Sequence, residues 1–188
     1  MPSHAYSSLP PEGDYIRLLC LLPNEDEAAP LQSKLRNLSL QKLGTRTHLY
    51  EALSYAWGNP NVTLPICVDG DEFHVTVNLH AALLRLRDCS FERIIWVDAI
   101  CINQGSEKER SLQVQLMAKI YSKALRVIVW LGEEAVNTEG ALEDICLAAN
   151  EALIERSKKE MNQQILGLLQ RPWFQRIWVR EQTPNRNY

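Results

Sequence analysis

The chain has 188 residues, 46% of them hydrophobic and 23% charged, the proportions of an ordinary folded domain. That length supports one core without metal or disulfide staples, and the composition argues against disordered, collagenous and coiled-coil rod classes. Lys and Arg number 20 against 23 Asp and Glu, and the net charge of −3 disfavours a generally basic nucleic-acid binder.

Residues 1–14 carry Pro2, Pro10, Pro11 and Gly13 and read as a loose leader, with no apolar signal-peptide region behind Met1-Pro2-Ser3-His4. Tyr15–Leu22 is predicted as a short apolar strand stopped by Pro23-Asn24. The acidic loop Glu25-Asp26-Glu27 leads to a weaker strand near Leu35–Leu40. Leu49–Tyr55 reads as the next strand, ended by Trp57-Gly58-Asn59-Pro60. Ile66–Val68 and Phe73–Val77 flank Asp69-Gly70, two residues that tolerate positive φ, so the pattern is a β-hairpin.

Asn78 is placed to cap a helix whose apolar residues Leu79, Ala82, Leu83 and Leu86 fall at i, i+3, i+4 and i+7. Ile94–Ile102 is nearly continuously apolar, the pattern of a strand covered on both faces, and carries one acid, Asp98. Ser106 and Glu109 form an S-x-x-E capping box for a helix over 107–124, with Val114, Met117, Ile120, Tyr121 and Ala124 as its apolar stripe. Arg126–Leu131 is a further buried-type strand closed by Gly132. Another helix opens at Asn137 or Thr138, with Leu142, Ile145, Cys146, Ala149 and Leu153 on one face. Ile165–Leu169, the segment Arg171–Trp178 and a polar tail follow. No apolar run approaches the roughly 18–20 residues of a membrane span. The five cysteines (Cys20, Cys67, Cys89, Cys101, Cys146) are odd in number and lack a CxxC pair, which reads as reduced core thiols of a cytosolic protein.

Buried-type strands alternating with helices predict an α/β fold: a mostly parallel sheet flanked by helices, in a flavodoxin-like order, with an additional β-hairpin. Such sheets bind ligands beyond the carboxyl ends of their strands, here Ser54–Gly58, Asp98–Gln104 and Trp130–Glu133. Asp98 is the most informative acid, because a carboxylate buried in an apolar strand must meet a backbone N–H, Arg110 or a ligand. Asn103 and Gln104 either read a polar ligand or satisfy the loop backbone. Ser54 and Tyr55 offer hydroxyls, although one of two adjacent strand residues should face the core. Trp57, Trp96, Trp130, Trp173 and Trp178 all lie at or beside these ends or in the terminal segment. An indole combines a large apolar face with one donor, which suits a half-wet cleft. Trp96 and Trp130, inside strands, read as seals on the core edge, whereas Trp57 beside Gly58 suits either role. His48, His74 and His80 show no metal-ligand spacing, and GxGxxG, P-loop, HExxH and GxSxG patterns are absent.

Tyr50-Glu51-Ala52-Leu53-Ser54-Tyr55-Ala56-Trp57-Gly58, Asn78-Leu79 and Trp96-Val97-Asp98-Ala99-Ile100-Cys101-Ile102-Asn103-Gln104 follow one another in the chain. Glu109-Arg110-Ser111-Leu112-Gln113-Val114, Val129-Trp130-Leu131-Gly132 and Arg171-Pro172-Trp173-Phe174-Gln175-Arg176-Ile177-Trp178 continue the series. In this order they resemble the signature of the fungal heterokaryon-incompatibility (HET) domain, from about Tyr15 to Trp178. The resemblance implies a leader over 1–14, a HET domain over 15–182 and a divergent polar tail over 183–188. It also implies an effector of fungal non-self recognition whose activation leads to growth arrest and cell death. HET domains in turn resemble TIR domains, some of which hydrolyse NAD⁺ with a glutamate four residues after a tryptophan. The usual HET closing motif, Trp-x-x-Gln-Glu, has its acid at that offset. Here Trp178-Val179-Arg180-Glu181-Gln182 puts Gln182 there and the acid one residue early, a rotation of about 100° on a helix. A neutral Gln182 cannot act as nucleophile or base.

On this resemblance Glu181 and Asp98 are the candidate catalytic acids, and Ser54, Tyr55, Trp57, Gly58, Asn103, Gln104 and Trp178 the candidate ligand-binding residues. No metal and no bound cofactor are implied, and NAD⁺ is the expected substrate. A non-enzymatic alternative is a cytoplasmic signalling module acting through a homo-oligomer or another incompatibility protein, without nucleic acid or membrane span. The segment Arg171–Tyr188, with four arginines against Glu181 alone, offers such a contact surface. A third alternative is an inactive truncated or decoy protein, since the length leaves no room for an attached recognition domain.

Overall fold

The computed structural model describes residues 6–10, 13–42, 49–133 and 171–175. The predicted helix from Asn137, the run Ile165–Leu169, His48, Cys146, Trp178, Glu181 and the polar tail lie outside the described residues. The chain divides into two compact units, Met1–Trp130 and Leu131–Tyr188.

The first unit is built on one seven-stranded sheet. Its strands are β1 (Tyr15–Leu21), β2 (Gln32–Ser39), β3 (Glu51–Tyr55), β4 (Thr63–Val68), β5 (Asp71–Thr76), β6 (Arg93–Trp96) and β7 (Val127–Trp130). Helices α1 (Val77–Leu86), α2 (Asp98–Cys101) and α3 (Glu107–Lys123) connect the later strands. The order across the sheet is β5-β4-β2-β1-β6-β3-β7. The pairings are mixed, which corrects the expectation of a mostly parallel sheet. β3 runs parallel to both β6 and β7, and β2 parallel to β4. β1 is antiparallel to β2 and to β6, and β4 to β5. The cause is connection length: β1 and β2 are joined by a short acidic loop, which permits only an antiparallel return. β3, β6 and β7 are separated by the helical segments that parallel crossovers require.

Ile16, Leu19, Ala52, Leu53, Ile95 and Trp96 form the centre of the core, with Leu79, Ala82 and Leu83 of α1 packed on it. All five residues of β3 are buried, the polar Glu51 and Ser54 included, because neighbours cover both faces of the strand. β7 behaves differently from its predicted two-faced burial. As the edge strand among the described residues it alternates, with Val127 and Val129 exposed and Ile128 and Trp130 half-buried.

The β4–β5 hairpin turns at Asp69 (φ 54°) and Gly70 (φ 91°), as the Asp-Gly pair predicts. A Cβ at Gly70 would meet open space, so Gly70→Ala is a pure backbone-strain test. It is expected to cost about 1–2 kcal/mol in a denaturant titration.

Several local readings are revised. Helix α1 is capped by the Thr76 hydroxyl, which accepts from the Leu79 N–H, so Asn78 lies inside the first turn and is free for other contacts. The run Ile94–Ile102 is not one strand. It leaves the sheet at Trp96, and Asp98–Cys101 forms a single helical turn that buries Ile100 and Cys101. A run that is apolar but for Asp98 satisfies either geometry, so its pattern does not mark the switch. In α3 the buried stripe includes Gln113 instead of Val114, which is 54% exposed. The Gln113 amide donates to the Tyr15 carbonyl (2.8 Å) at the start of β1. Cys20 and Cys101 are buried as expected, and burial pushes their thiols up to about 11 and about 12. Cys89 is exposed, on the turn that Asp88 pins by accepting from the Ser90 and Phe91 N–H groups.

The leader is tied down where it is described. The Tyr6 hydroxyl donates to the Ile100 carbonyl (3.0 Å), and its ring lies 4.8 Å from the Arg17 guanidinium. In the second unit, Pro172–Gln175 forms a 3₁₀ turn. Arg171 donates to the carbonyls of Leu131 (3.0 Å) and Glu133 (2.9 Å), and Trp173 and Phe174 stack edge to face at 4.9 Å.

Candidate functional site

The chain passes from β3 to β6 on one side and then to β7 on the other, so strand order reverses at β3. Loops on the two sides of such a reversal diverge and leave a crevice outside the carboxyl ends. Three segments of the first unit meet there: Ala56-Trp57-Gly58 after β3, Asp98 after β6, and Trp130 closing β7.

Trp57 is 41% exposed, yet its position is held: its indole N–H donates to Asp98 Oδ2 (3.0 Å). The other Asp98 oxygen accepts from the Ala99 N–H (2.8 Å), which secures the carboxylate at the start of α2. Of the partners expected for Asp98, a backbone N–H is thus met. Arg110 donates elsewhere, to the Gln104 carbonyl (3.3 Å). Asp98 is half-buried, because the helical turn lifts it out of the strand interior.

Asn78 joins the carboxyl ends of β3 and β7. Its Nδ2 donates to the Ala56 carbonyl (2.6 Å), and its Oδ1 accepts from the Trp130 indole N–H (2.9 Å). Gly58 has φ +78°, and a Cβ there would stand 3.4 Å from the Asn78 Cβ, so the loop crosses closely over α1.

The other expected residues fall into two groups. Ser54 and Tyr55 are both buried, so neither hydroxyl lines the open surface. Both faces of β3 are covered, which overrides the alternation expected of a half-exposed strand. Asn103 and Gln104 are half-buried and serve the loop: Asn103 Oδ1 accepts from the Gly105 N–H (3.1 Å), and Gln104 Nε2 donates to the Asp98 carbonyl (2.9 Å). Trp96 is fully buried against Tyr121 (5.6 Å between rings), which agrees with its reading as a core residue. Glu181 and Trp178 lie outside the described residues.

Beneath these loops lies a buried ion pair that the sequence patterns do not single out. Arg17, fully buried on β1, donates to both oxygens of Glu109 (2.5 and 3.1 Å) and to the Ser7 carbonyl (2.6 Å). Glu109 also accepts from the Asn103 N–H (2.8 Å), so the expected capping box is only half formed. The Ser106 hydroxyl accepts from the Glu109 N–H, while the carboxylate turns to Arg17 and the Asn103 loop. Burial pushes the Glu109 carboxyl up, but the hydrogen bonds from Arg17 and Asn103 outweigh it and hold the carboxyl below its ordinary value. The signal present in the sequence is Arg17 itself, a lone cation in an apolar strand.

At the opposite, amino ends of the parallel strands, buried Glu51 accepts from Arg93 and Arg126 and clips β3 to its neighbours. Burial, then the Arg87 charge, lowers the pKa of His80 on α1. Among the described residues, no group of three or more His, Cys, Asp or Glu side chains is arranged to hold a metal. None of the described helices is long and apolar enough to cross a membrane.

The family pattern described as heterokaryon incompatibility protein (HET) matches residues 50–181, which include the whole strand-end cluster. Heterokaryon incompatibility protein 6, OR allele, of Neurospora crassa is 37% identical over 117 residues, covering 55% of this chain. The match spans only 17% of the length of that relative. No solved structure matches the chain. With the family pattern covering most of its length and the cluster of Trp57, Asn78, Asp98 and Trp130 inside it, the chain belongs to the heterokaryon incompatibility (HET) family.

Proposed function

We propose that the chain is an effector of fungal non-self recognition that promotes programmed cell death by TIR-like hydrolysis of NAD⁺ in the cytoplasm. The observation that carries the enzymatic part is Trp57, a large aromatic left 41% exposed at the switch point and held by a carboxylate. An exposed, oriented indole is a stacking platform for a heteroaromatic ring. The order β6-β3-β7 of the parallel strands supports the flavodoxin- or TIR-like reading of this half of the sheet. The name and family of the Neurospora relative support the role in incompatibility.

In the proposed reaction water adds to C1′ of the ribose bonded to nicotinamide. The N-glycosidic bond breaks, its electron pair leaves with neutral nicotinamide, and a proton is released with ADP-ribose. Trp57 stacks on a ring of the substrate, Asp98 fixes that indole, and Glu181 stabilises the oxocarbenium-like ribosyl centre as carboxylates do in glycoside cleavage. Purified protein incubated with NAD⁺ is expected to release nicotinamide, and Trp57→Ala and Glu181→Ala to lower the rate by at least about tenfold. Absence of release from a concentrated sample would overturn hydrolysis. Induced expression in a fungal host tests the biological role: death with wild type but not with Asp98→Ala or Glu181→Ala supports a catalytic effector. Death with all three excludes catalysis by these acids.

A second reading, signalling by self-association, is favoured by the edge of the sheet. Leu125, Val127 and Val129 are 61%, 46% and 41% exposed on and beside the edge strand β7, an arrangement suited to pairing with another chain. Light scattering over a concentration series separates the two: a monomer that still releases nicotinamide excludes assembly as a requirement.

A further inference from the structure

The sequence pattern makes Asn78 a helix cap, but Thr76 performs that task. What remains is an amide whose two ends are both engaged with strand ends. Its donor holds the Ala56 carbonyl, immediately before Trp57, and its acceptor holds the Trp130 indole. Trp57 is therefore secured twice, by Asp98 at its indole N–H and by Asn78 through the backbone of the preceding residue. We infer that Asn78 is a positioning residue that presets the exposed Trp57 for a planar heteroaromatic ring by tying its loop to Trp130, which packs on the core.

The chemistry selects asparagine. The position needs one donor and one acceptor on a short, branched end carried by α1 and reaching both strand ends. Aspartate offers two acceptors and would face the Ala56 carbonyl without a proton to share. Leucine has the same shape and neither function. Gly58, at φ +78°, passes beside the Asn78 Cβ, where an added Cβ would stand 3.4 Å from it. An exposed aromatic that moves freely loses rotamer entropy on stacking, whereas one already held loses little, so affinity depends on the two fastenings.

This deepens the proposed strand-end site and rests on that reading only for the choice of probe. The experiment records the indole N–H resonances of the ¹⁵N-labelled full chain, with Trp57 and Trp130 assigned through Trp57→Phe and Trp130→Phe. Asn78→Asp keeps the acceptor for Trp130 and removes the donor to Ala56. It is expected to move the Trp57 resonance, although Asn78 does not bond to that indole, and to shift Trp130 less. Asn78→Leu is expected to move both. The buried Trp96 serves as the unmoved control. Titration with NAD⁺ followed at the Trp57 resonance is expected to show affinity lower by about tenfold in Asn78→Asp.

A role confined to stabilising α1 would lower the melting temperature and leave the Trp57 resonance and NAD⁺ affinity unchanged, and that result overturns the inference. If Asn78→Leu does not fold, Asn78→Asp alone decides. If the wild type does not bind NAD⁺, the proposed substrate fails, while the resonance arm still tests Asn78: a moved Trp57 signal upholds it and an unmoved one sinks it.

Discussion

Glu109→Ala is expected to lower the unfolding free energy by about 3–5 kcal/mol, because it strands a buried guanidinium. Arg17 has no exposure of its own and can reach water only by disrupting the packing of β1. Its remaining contacts, the Ser7 and Cys101 carbonyls and the Tyr6 ring, bring no compensating charge. The same change frees the Asn103 N–H, so the loop between α2 and α3 should loosen as well. Urea unfolding gives the free energy, and the melting temperature should fall by roughly 10 °C. A loss under about 1 kcal/mol would show that the pair is worth no more than a surface salt bridge.

The pH dependence carries a sign. The folded-state pKa of Glu109 lies below its ordinary value of 4.5, so its contribution is fully present above pH 4.5. It is lost as pH falls from there through the folded value, where the carboxyl protonates and the pair with Arg17 is broken. Stability measured from pH 7 downward should therefore drop more steeply in the wild type than in Glu109→Gln over that acid window. Parallel curves would remove Glu109 from the account.

Trp96→Ala is the second large effect, expected at about 3–5 kcal/mol from the cavity and the lost burial. Trp96→Phe separates packing from polarity. Among the described residues the buried Trp96 indole N–H has no hydrogen-bond partner, so phenylalanine gives up no bond. The phenylalanine variant should cost only ~1 kcal/mol, as expected of a modest volume change. Equal losses for the two variants in a denaturant titration would mean that the indole donor has a partner after all. Trp57 contrasts with it: its N–H is bonded and its face is partly open, the opposite of a core seal.

The elements are legible where one periodicity has no rival. The strand β1, the Asp-Gly hairpin, α1 and the span of α3 all follow from local pattern and lie within a few residues of their expected bounds. The departures have a shared cause. Ile94–Ile102 is apolar but for Asp98, so strand and helical turn bury its other residues equally well, and no local pattern marks the end of β6 at Trp96. The apolar stripe of α3 holds at Met117, Ile120, Tyr121 and Ala124 and departs only at Val114, beside Gln113, because a buried glutamine is invisible to a hydrophobic pattern. Gln113 Nε2 is met there by the Tyr15 carbonyl, while its Oε1 has no partner among the described residues.

The candidate site divides in the same way. Trp57, Gly58 and Asp98 are visible in the sequence because strand ends in α/β sheets carry ligands and an acid in an apolar run needs a partner. Asn78 stands out as a motif residue, but its bridging role does not, because its partners lie 22 and 52 residues away in the chain. A polar residue two positions into a helix resembles a cap until the true cap is seen. Ser54 and Tyr55 stand out as hydroxyls at a strand end, but covering both faces of β3 buries them.

The order of motifs along the chain determined the family, since long segments of specific residues in a fixed sequence need no geometry to be recognised. Composition and periodicity determined the α/β class, because burial of apolar faces depends on local spacing. Only the tertiary structure decided that the sheet is mixed, that Arg17 and Glu109 form a buried pair, and that Asn78 ties two strand ends together. Each of these is a choice among long-range partners of similar local chemistry. Such choices are made by closure of the whole core, where an unpaired polar group would cost more than any local preference can supply.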